Sequence, residues 1–292
     1  MPELPEVESL RRNLSQVLPE QQIIDVQVLR AKSFLDLPAK RQLLVGQSFT
    51  DIGRRAKILD LSLSNQQHLL VHLKMTGQLI FVDKQGQRSG GGHPTADWVN
   101  DLPSKHTRVV FQLRDKQQQN SQLFFNDMRV FGWLRLRKGQ ALKAEFANYG
   151  PDINDPQLTV NYLLDKASRR QISIKQFIMN NQVIAGVGNI YANEALFMTR
   201  ISPLRPAASI QAQEMSQLLT AMQAIISRAI KLGGTTFDGH YVGIDGLAGG
   251  FQKELQVYGQ EGQACPRCGL PFVIKRIKQG GRSSFYCSHC QQ

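Results

Sequence analysis

The sequence predicts an α+β protein: a leading helix and a β-sandwich, then a helical domain, then a small metal-binding β-hairpin. Two observations on spacing support this prediction. Apolar residues alternate from residue 24 to residue 136, as in β-strands, and they recur at helical spacing after residue 156. A third is that all four cysteines lie near the end of the chain. The 292 residues suffice for two domains and a small module. We therefore expect domains at 1–146, 147–235 and 236–292.

The amino-terminal segment is predicted to be helical from Pro5 to Leu18, since Val7, Leu10 and Leu14 recur at helical spacing. Pro5 suits the first turn, and the carboxylates near it complement the positive end of a helix. The alternating segments that follow predict strands. They are 24–28, 59–63, 70–72, 79–81, 109–113, 123–125 and 131–136. Residues 84–105, with glycines at 90–92, are predicted to form a long surface loop.

In the second half, a turn-rich segment at 149–156 indicates a domain boundary. The Gly186-x-Gly188 turn leads into a predicted helix at 191–198, and the backbone N–H groups at such a helix start can bind a phosphate. Tight packing of two helices would explain the same glycines. The glycine-rich residues 233–250 are long for a connection and predict a mobile loop that covers a substrate.

The four cysteines are spaced C-x2-C-x18-C-x2-C. Two C-x-x-C pairs can supply the four thiolates of a tetrahedral structural zinc site, so we expect one Zn²⁺; two disulfides are the alternative. His289 is expected to point away from the metal. Segments 271–274 and 284–286 are predicted to be strands joined by a turn at 280–281. The expected ligands are Cys265, Cys268, Cys287 and Cys290.

The chain carries 35 Lys and Arg against 23 Asp and Glu, a formal net charge of +12. This excess predicts a polyanionic partner, and nucleic acid is favoured over an anionic membrane because no apolar run approaches the length of a spanning helix. From Cys265 onward there are five basic residues and no acidic one, which suits a nucleic-acid backbone, although such modules also contact proteins. The amino terminus lacks the layout of a signal peptide, so we expect a cytoplasmic protein.

The first residues suggest covalent chemistry. Removal of Met1 would give Pro2 a free secondary amine, which can attack a carbonyl-like carbon and form an iminium ion. Glu3 and Glu6 place carboxyl groups beside that amine, where one can act as an acid and the other as an orienting group. The alternative is that these residues only cap a surface helix.

Seven motifs in order resemble the bacterial formamidopyrimidine-DNA glycosylase family, and together they cover nearly the whole chain. They are PELPEVE at 2–8, RRAK at 54–57, HLKMTG at 72–77, GVGNIY at 186–191, GGTT at 233–236, ELQVYG at 254–259 and the four-cysteine finger. The resemblance implies a bifunctional base-excision repair enzyme that removes 8-oxoguanine and formamidopyrimidines from double-stranded DNA, then cleaves the abasic strand by β,δ-elimination. It also implies a helix–two-turn–helix DNA-binding domain at 147–235 and a lesion-recognition loop before the finger. The sequence shows no sign of an oligomer, so we expect a monomer.

The resemblance also implies roles for individual residues. The amine of Pro2 would form a Schiff base with the deoxyribose, Glu3 would be the acid toward the sugar, and Glu6 would hold the amino terminus. Lys57 would bind the phosphate beside the lesion and help protonation, and Arg282 would grip the phosphates that flank it. The expected catalytic residues are Pro2, Glu3, Glu6, Lys57 and Arg282.

Turning a nucleotide out of the duplex leaves an empty space in the base stack. The resemblance implies that Met75, Arg129 and Phe131 fill this space. Two apolar wedges would replace lost stacking, and the arginine would meet the orphaned cytosine; on periodicity alone, both wedges would be core residues. The expected DNA contacts are Met75, His106, Arg129, Phe131, Arg170, Asn189 and Arg282.

The sequence departs from the family pattern at three places. Residues 128–132 read MRVFG where the family often has PRRFG, Asn180 stands where some relatives have Asp, and the loop 237–248 does not align residue by residue. Because the family reads the flipped base with that loop, a sister enzyme for oxidised pyrimidines is an alternative, although Leu4 stands where that enzyme has glycine. A non-catalytic zinc-finger DNA-binding protein is a second alternative.

Overall fold

The computed structural model describes residues 2–93, 96–98, 100–235 and 249–292. These described residues form two compact units, the first made of those within 1–147 and 232–252 and the second of those within 148–231 and 253–292. None of the helices in the described ranges is long and apolar enough to cross a membrane. The predicted α+β class is confirmed, whereas the division at residues 146 and 235 stays a prediction.

The first unit contains a leading helix, two antiparallel sheets and two further short helices. Its helices are α1 (Leu4–Leu14), α2 (Leu37–Lys40) and α3 (Gly139–Phe146). Its strands are β1 (Gln22–Val28), β2 (Phe49–Arg55), β3 (Ile58–Leu63), β4 (His68–His72), β5 (Gly77–Val82), β6 (Arg88–Gly92), β7 (Thr107–Arg114), β8 (Asn120–Asp127) and β9 (Trp133–Arg137). One sheet has the order β1-β7-β8-β5-β6, and the other has the order β2-β3-β4-β9.

One apolar core joins the two sheets and α1, as a β-sandwich requires. Alternating residues of β7 and β8 on one sheet and of β3 and β4 on the other are buried in it. Val7, Leu10 and Leu14 of α1 enter the same core, which is why the helical spacing was visible in the sequence. The helix ends at Leu14 instead of Leu18, with the Ser15 hydroxyl donating to the Arg11 carbonyl oxygen.

The predicted loop at 84–105 is wrong in its first part, because Arg88–Gly92 pairs with β5 as strand β6. The glycines that suggested a loop are needed for the pairing. A Cβ on Gly90 would lie 2.1 Å from the Leu79 carbonyl oxygen, and one on Gly92 would lie 2.4 Å from that of Gly77. The Asn13 side-chain amide of α1 then donates to the Gly90 carbonyl oxygen at 2.9 Å. Close approach between backbones, not chain flexibility, explains these glycines.

The second unit is helical with a terminal hairpin. Its elements are α4 (Val160–Ala167), α5 (Ile174–Ile178), α6 (Asn189–Met198), α7 (Ala212–Lys231), β10 (Lys275–Gln279) and β11 (Arg282–Tyr286). The Ser173 hydroxyl caps α5, and Gly188 precedes the first residue of α6. The finger has two strands, as expected, but the first is not at 271–274. Cys265 and Phe272 instead hydrogen-bond through their backbones beside the cysteines, and the hairpin begins at Lys275.

Replacement of Gly90 by alanine tests the close approach of β6 to β5. Gly90→Ala should destabilise the protein by at least about 2 kcal/mol, because the new Cβ would overlap the Leu79 carbonyl group. Gly86→Ala is the control, since Gly86 also has a positive φ but no atom within 4 Å of the added Cβ. Chemical denaturation should show a clearly smaller loss for the control; equal losses would mean that φ alone sets the cost.

Candidate active site and DNA-binding surface

The amino terminus is held by a reciprocal cap on α1. The Glu6 carboxylate accepts a hydrogen bond from the Glu3 backbone N–H at 2.8 Å, and the Glu3 side chain accepts one from the Glu6 backbone. Pro2, Glu3 and Glu6 are all buried. The predicted nucleophile and both carboxyl groups therefore lie together at a helix start that is packed into the protein.

The other oxygen of Glu6 binds a distant part of the chain. It accepts hydrogen bonds from the Thr235 N–H at 2.8 Å and from the Thr235 hydroxyl at 3.1 Å. Gly234 allows this contact, because its φ is +83° and a Cβ there would lie 2.6 Å from the Glu6 carboxylate. One carboxylate thus joins the amino terminus to the last residue before 236–248. The predicted lesion-recognition loop at 237–248 lies outside the described residues.

Lys57 lies in the tight turn between β2 and β3, and its side chain is buried. Arg54 stabilises this turn by donating to the Ala56 carbonyl oxygen at 2.7 Å and to the Glu8 carboxylate of α1 at 3.1 Å. Burial alone would raise the pKa of Glu8, but hydrogen bonds from Arg11 and Arg54 lower it overall. Arg54, the first arginine of the RRAK motif, therefore connects the turn that contains Lys57 to the amino-terminal helix.

His72 belongs to this region and was not among the predicted site residues. It lies opposite Ile58, the residue after Lys57, and its Nδ1 accepts the Lys74 backbone N–H at 3.1 Å. Burial, together with the charges of Lys74 and Lys57, lowers the pKa of His72 to about 3. Its ring is therefore neutral at physiological pH. The sequence signal that could have identified His72 is its position at the start of the HLKMTG motif.

The three predicted void-filling residues are exposed and come from two loops. Met75 is 36 % exposed and Phe131 is 49 % exposed, so neither belongs to the core as periodicity alone would suggest. Phe131 also lies before β9 and not within it, which corrects the strand predicted at 131–136. The Arg129 guanidinium lies 5.0 Å from the centre of the Phe131 ring. The Arg129 N–H donates to the Thr76 hydroxyl at 3.0 Å, so the loops with Met75 and with Arg129 are in contact.

His106 lies next to these loops. Its Nδ1 is 2.9 Å from the buried Asp97 carboxylate, which fixes the orientation of the ring. Its carbonyl oxygen accepts the Asp127 N–H at 2.9 Å, immediately before the loop with Arg129. The first unit thus contains the predicted residues Pro2, Glu3, Glu6, Lys57, Met75, His106, Arg129 and Phe131.

In the second unit, Asn189 and the hairpin with Arg282 are brought together. The Asn189 side-chain amide donates to the Ser283 carbonyl oxygen at 3.1 Å, and the buried Lys175 ammonium donates to the same oxygen at 2.7 Å. Arg282 is exposed beside them, and Arg170 is half-buried after α4. The Gly-x-Gly turn and the finger therefore present Asn189 and Arg282 close to each other.

Glu194 is a further buried acid that the sequence did not single out. Its carboxylate accepts the backbone N–H groups of Gln256, Val257 and Tyr258 at 2.8–3.0 Å. Burial raises the pKa of Glu194, and these three hydrogen bonds oppose that rise. The residue fixes the ELQVYG motif to α6.

The four cysteines converge on one point. Their sulfur atoms all lie within 4.8 Å of one another, and none forms a disulfide. Zn–S bonds of ~2.3 Å place tetrahedral sulfurs ~3.8 Å apart, so the four thiols fit one structural Zn²⁺. The His289 ring stacks on Phe272, with ring centres 3.7 Å apart, and is not part of the cluster.

Arg267 connects this metal site to α6. Its guanidinium donates to the Phe197 carbonyl oxygen at 2.9 Å and to the Cys290 sulfur at 3.8 Å. It also lies 4.4 Å from the centre of the Phe197 ring. Such contacts orient a metal ligand and fix the helix end at the same time.

Family models match three parts of the chain. Residues 1–134 match "Formamidopyrimidine-DNA glycosylase N-terminal domain", residues 149–240 match its "H2TH domain", and residues 262–292 match "Zinc finger found in FPG and IleRS". Formamidopyrimidine-DNA glycosylases of Vibrio atlanticus and Rickettsia africae are 38 % and 36 % identical to the chain. The alignments cover 100 % of this chain, and 100 % and 99 % of those relatives.

Among solved structures, a Lactococcus lactis Fpg complex with DNA containing an abasic site has a TM-score of 0.85 at 28 % identity over 100 % of both chains. A mutant of the same enzyme, bound to DNA containing Fapy-dG, has the same score and coverage. The fold and the zinc finger, together with these matches, define a DNA glycosylase that acts on damaged DNA. The chain belongs to the formamidopyrimidine-DNA glycosylase (Fpg) family.

The neutral His72 predicts a pH dependence of stability. Because its pKa in the folded protein, about 3, lies below the ordinary 6.5, the unfolded chain binds the proton first as the pH falls. Its contribution is thus complete above pH 6.5 and is lost toward pH 3, by up to about 1.4 kcal/mol per pH unit.

Urea denaturation of the His72→Asn variant between pH 7 and 4 should show a shallower loss of stability than the unaltered protein. Asparagine can still accept the Lys74 N–H but does not titrate. Gln67→Asn, in the turn before the same strand, is the control, because it exchanges one non-titrating side chain for another and should keep the original slope. An unchanged slope for His72→Asn would contradict the buried neutral ring.

Proposed function

We propose that this chain excises 8-oxoguanine and formamidopyrimidines from double-stranded DNA and then cleaves the abasic strand as an AP lyase. The observation that carries the proposal is the pair of hydrogen bonds by which Glu6 holds the Glu3 backbone and Thr235. They fix the residue that follows Pro2 in a buried position. A terminal amine is useful as a nucleophile only if it is held in place, and chain termini are otherwise poorly ordered.

In the proposed reaction, removal of Met1 leaves Pro2 with a secondary amine. The nitrogen attacks C1′ of the damaged nucleotide, the C1′–N bond to the base breaks, and the leaving base takes up the proton that the Pro2 nitrogen loses. Glu3 protonates the sugar ring oxygen as the ring opens, which gives an iminium ion between Pro2 and C1′. Loss of a C2′ proton to water expels the 3′ phosphate, and loss of a C4′ proton to water in a second elimination expels the 5′ phosphate. Water then releases the amine.

The remaining predicted residues would position the DNA. Lys57 is buried at the turn beside α1, where it would bind the phosphate next to the lesion and help protonation. Arg282 and Asn189 would bind the phosphates that flank the lesion, with His106 and Arg170 as further contacts. Met75, Arg129 and Phe131, which are exposed on adjoining loops, would fill the space that the flipped nucleotide leaves. We propose that the protein binds DNA as a monomer.

The choice between oxidised purines and pyrimidines depends on the loop at 237–248. A complex of the Lactococcus lactis enzyme with DNA containing an oxidised pyrimidine also resembles this chain, with a TM-score of 0.85. Rates measured on duplexes with 8-oxoguanine opposite cytosine and with thymine glycol distinguish the two. We expect faster excision of 8-oxoguanine, and the opposite order would favour the pyrimidine enzyme.

Trapping with borohydride tests the proposed nucleophile. A preparation that retains Met1 should give no covalent adduct with 8-oxoguanine DNA, because its Pro2 nitrogen is an amide. Treatment of the same preparation with methionine aminopeptidase should restore the adduct, and mass spectrometry should locate it on Pro2. An adduct with the untreated chain, linked to a lysine, would remove Pro2 from the reaction. DNA binding without any adduct would support the non-catalytic alternative.

The salt dependence of DNA binding tests Arg282. Loss of one phosphate contact in Arg282→Ala should lower the affinity and reduce the slope of log K against log salt by about 0.9. Lys116→Ala is the charge-matched control, because Lys116 is exposed at the β7–β8 turn and pairs with Glu20. Its slope should stay close to that of the unaltered protein. Equal slopes for both variants would exclude Arg282 as a phosphate contact.

A further inference from the structure

The three void-filling residues of the proposed function lie on two loops that are distant in sequence. Loop 73–76 joins β4 to β5 and carries Met75, and loop 128–132 joins β8 to β9 and carries Arg129 and Phe131. Side chains that replace a flipped nucleotide must enter the duplex with a fixed separation. Something must therefore hold one loop against the other, and the side chain of Asp127 is placed to do so.

Asp127 is the last residue of β8 and is fully buried. Its Oδ2 accepts the Gly132 N–H at 2.7 Å, which closes loop 128–132 at both ends. Its Oδ1 accepts the Thr76 hydroxyl proton and also the Arg129 N–H at 3.3 Å. One carboxylate thus receives donors from both loops.

Thr76 completes the connection. Its hydroxyl donates to Asp127 and accepts the Arg129 N–H at 3.0 Å. Because Thr76 directly follows Met75, these hydrogen bonds connect the loop with Met75 to the loop with Arg129. The backbone of loop 73–76 is closed by a hydrogen bond from the Gly77 N–H to the Leu73 carbonyl oxygen at 2.9 Å. Each loop is therefore closed on itself, and Thr76 and Asp127 connect the two.

The backbone of loop 128–132 also requires this support. Val130 has a φ of 57°, a left-handed conformation that a β-branched residue adopts only when its surroundings impose it. A Cβ on Gly132 would lie 2.7 Å from the Phe125 ring, 3.1 Å from the Asp127 carboxylate and 3.1 Å from the His72 carbonyl oxygen. The loop therefore packs against the strand that leads to Met75 as well as bonding to Asp127.

We propose that Asp127 and Thr76 are positioning residues that fix the separation of the two loops, so that Met75, Arg129 and Phe131 enter the duplex as one unit. This inference rests on the proposed excision of damaged bases. It predicts that the pair controls eversion of the nucleotide and recognition of the opposite cytosine by Arg129. Cleavage of an abasic site that already lacks its base should depend on the pair much less.

The Thr76→Val variant tests the proposal, because valine keeps the shape of threonine and removes only the hydroxyl. Asp127→Asn is less suitable, since the buried carboxylate also holds Gly132. Excision of 8-oxoguanine opposite cytosine should fall about tenfold, as expected for a lost buried hydrogen bond that positions a reacting group. The preference for cytosine over adenine opposite the lesion should also fall. Cleavage of a preformed abasic site should change less than about threefold.

Two comparisons separate positioning from general stability. Thr76→Ser keeps the hydroxyl and should restore excision and the opposite-base preference. Ser121→Ala removes a buried hydroxyl that donates to Gln21 at the other end of β8, and it should leave both unchanged. The melting temperature of each variant reports its folding.

Three outcomes would overturn the inference. In the first, Thr76→Val retains full excision and the full preference for the opposite base. In the second, the variant loses excision and abasic-site cleavage to the same extent, together with thermal stability, which indicates a purely structural role. In both cases the unaltered protein still excises the base, so the proposed function stands. If the unaltered protein excises no oxidised base, the proposed function fails and the inference fails with it.

Discussion

The buried carboxylate of Glu6 is the interaction on which the arrangement of the amino terminus depends. A carboxylate removed from water is costly unless donors satisfy it, and here they come from the backbone of Glu3 and from Thr235. Because Thr235 lies 229 residues after Glu6, its two hydrogen bonds to the carboxylate form only when distant parts of the first unit have folded together. The geometry of the amino terminus thus depends on the whole first unit as well as on the local cap of α1.

Much of the site is built where backbones approach closely. Gly90 and Gly92 let β6 pair with β5 next to α1, Gly132 lets a loop pack on Asp127, and Gly234 admits the Glu6 carboxylate. At each place a Cβ would overlap another atom, so the glycine is required by the space available. These glycines therefore help to determine where the functional side chains lie, because they allow the backbones to approach each other.

The sequence predicted the elements whose patterns are local. The helical spacing of Val7, Leu10 and Leu14 and the alternating strands were visible because each places one face in a common core. Strand β6 was missed because its glycines provide no alternation of apolar and polar side chains. The exposure of Phe131 could not be predicted from periodicity, which places an apolar residue in the core. Four thiols in two C-x-x-C pairs were predictable, because a metal site leaves its spacing in the sequence. The buried contacts of Asp127 and Glu194 join distant segments, and no local pattern records them.

Arg267 bonds at once to a cysteine of the metal site and to the last turn of α6. Free energy released when Zn²⁺ binds is therefore shared with that helix end. By thermodynamic reciprocity, a ligand of α6 that binds more tightly when the metal is present must strengthen metal binding by the same factor. If Asn189 of α6 binds phosphate as proposed, DNA affinity and metal retention in the second unit would therefore rise or fall together.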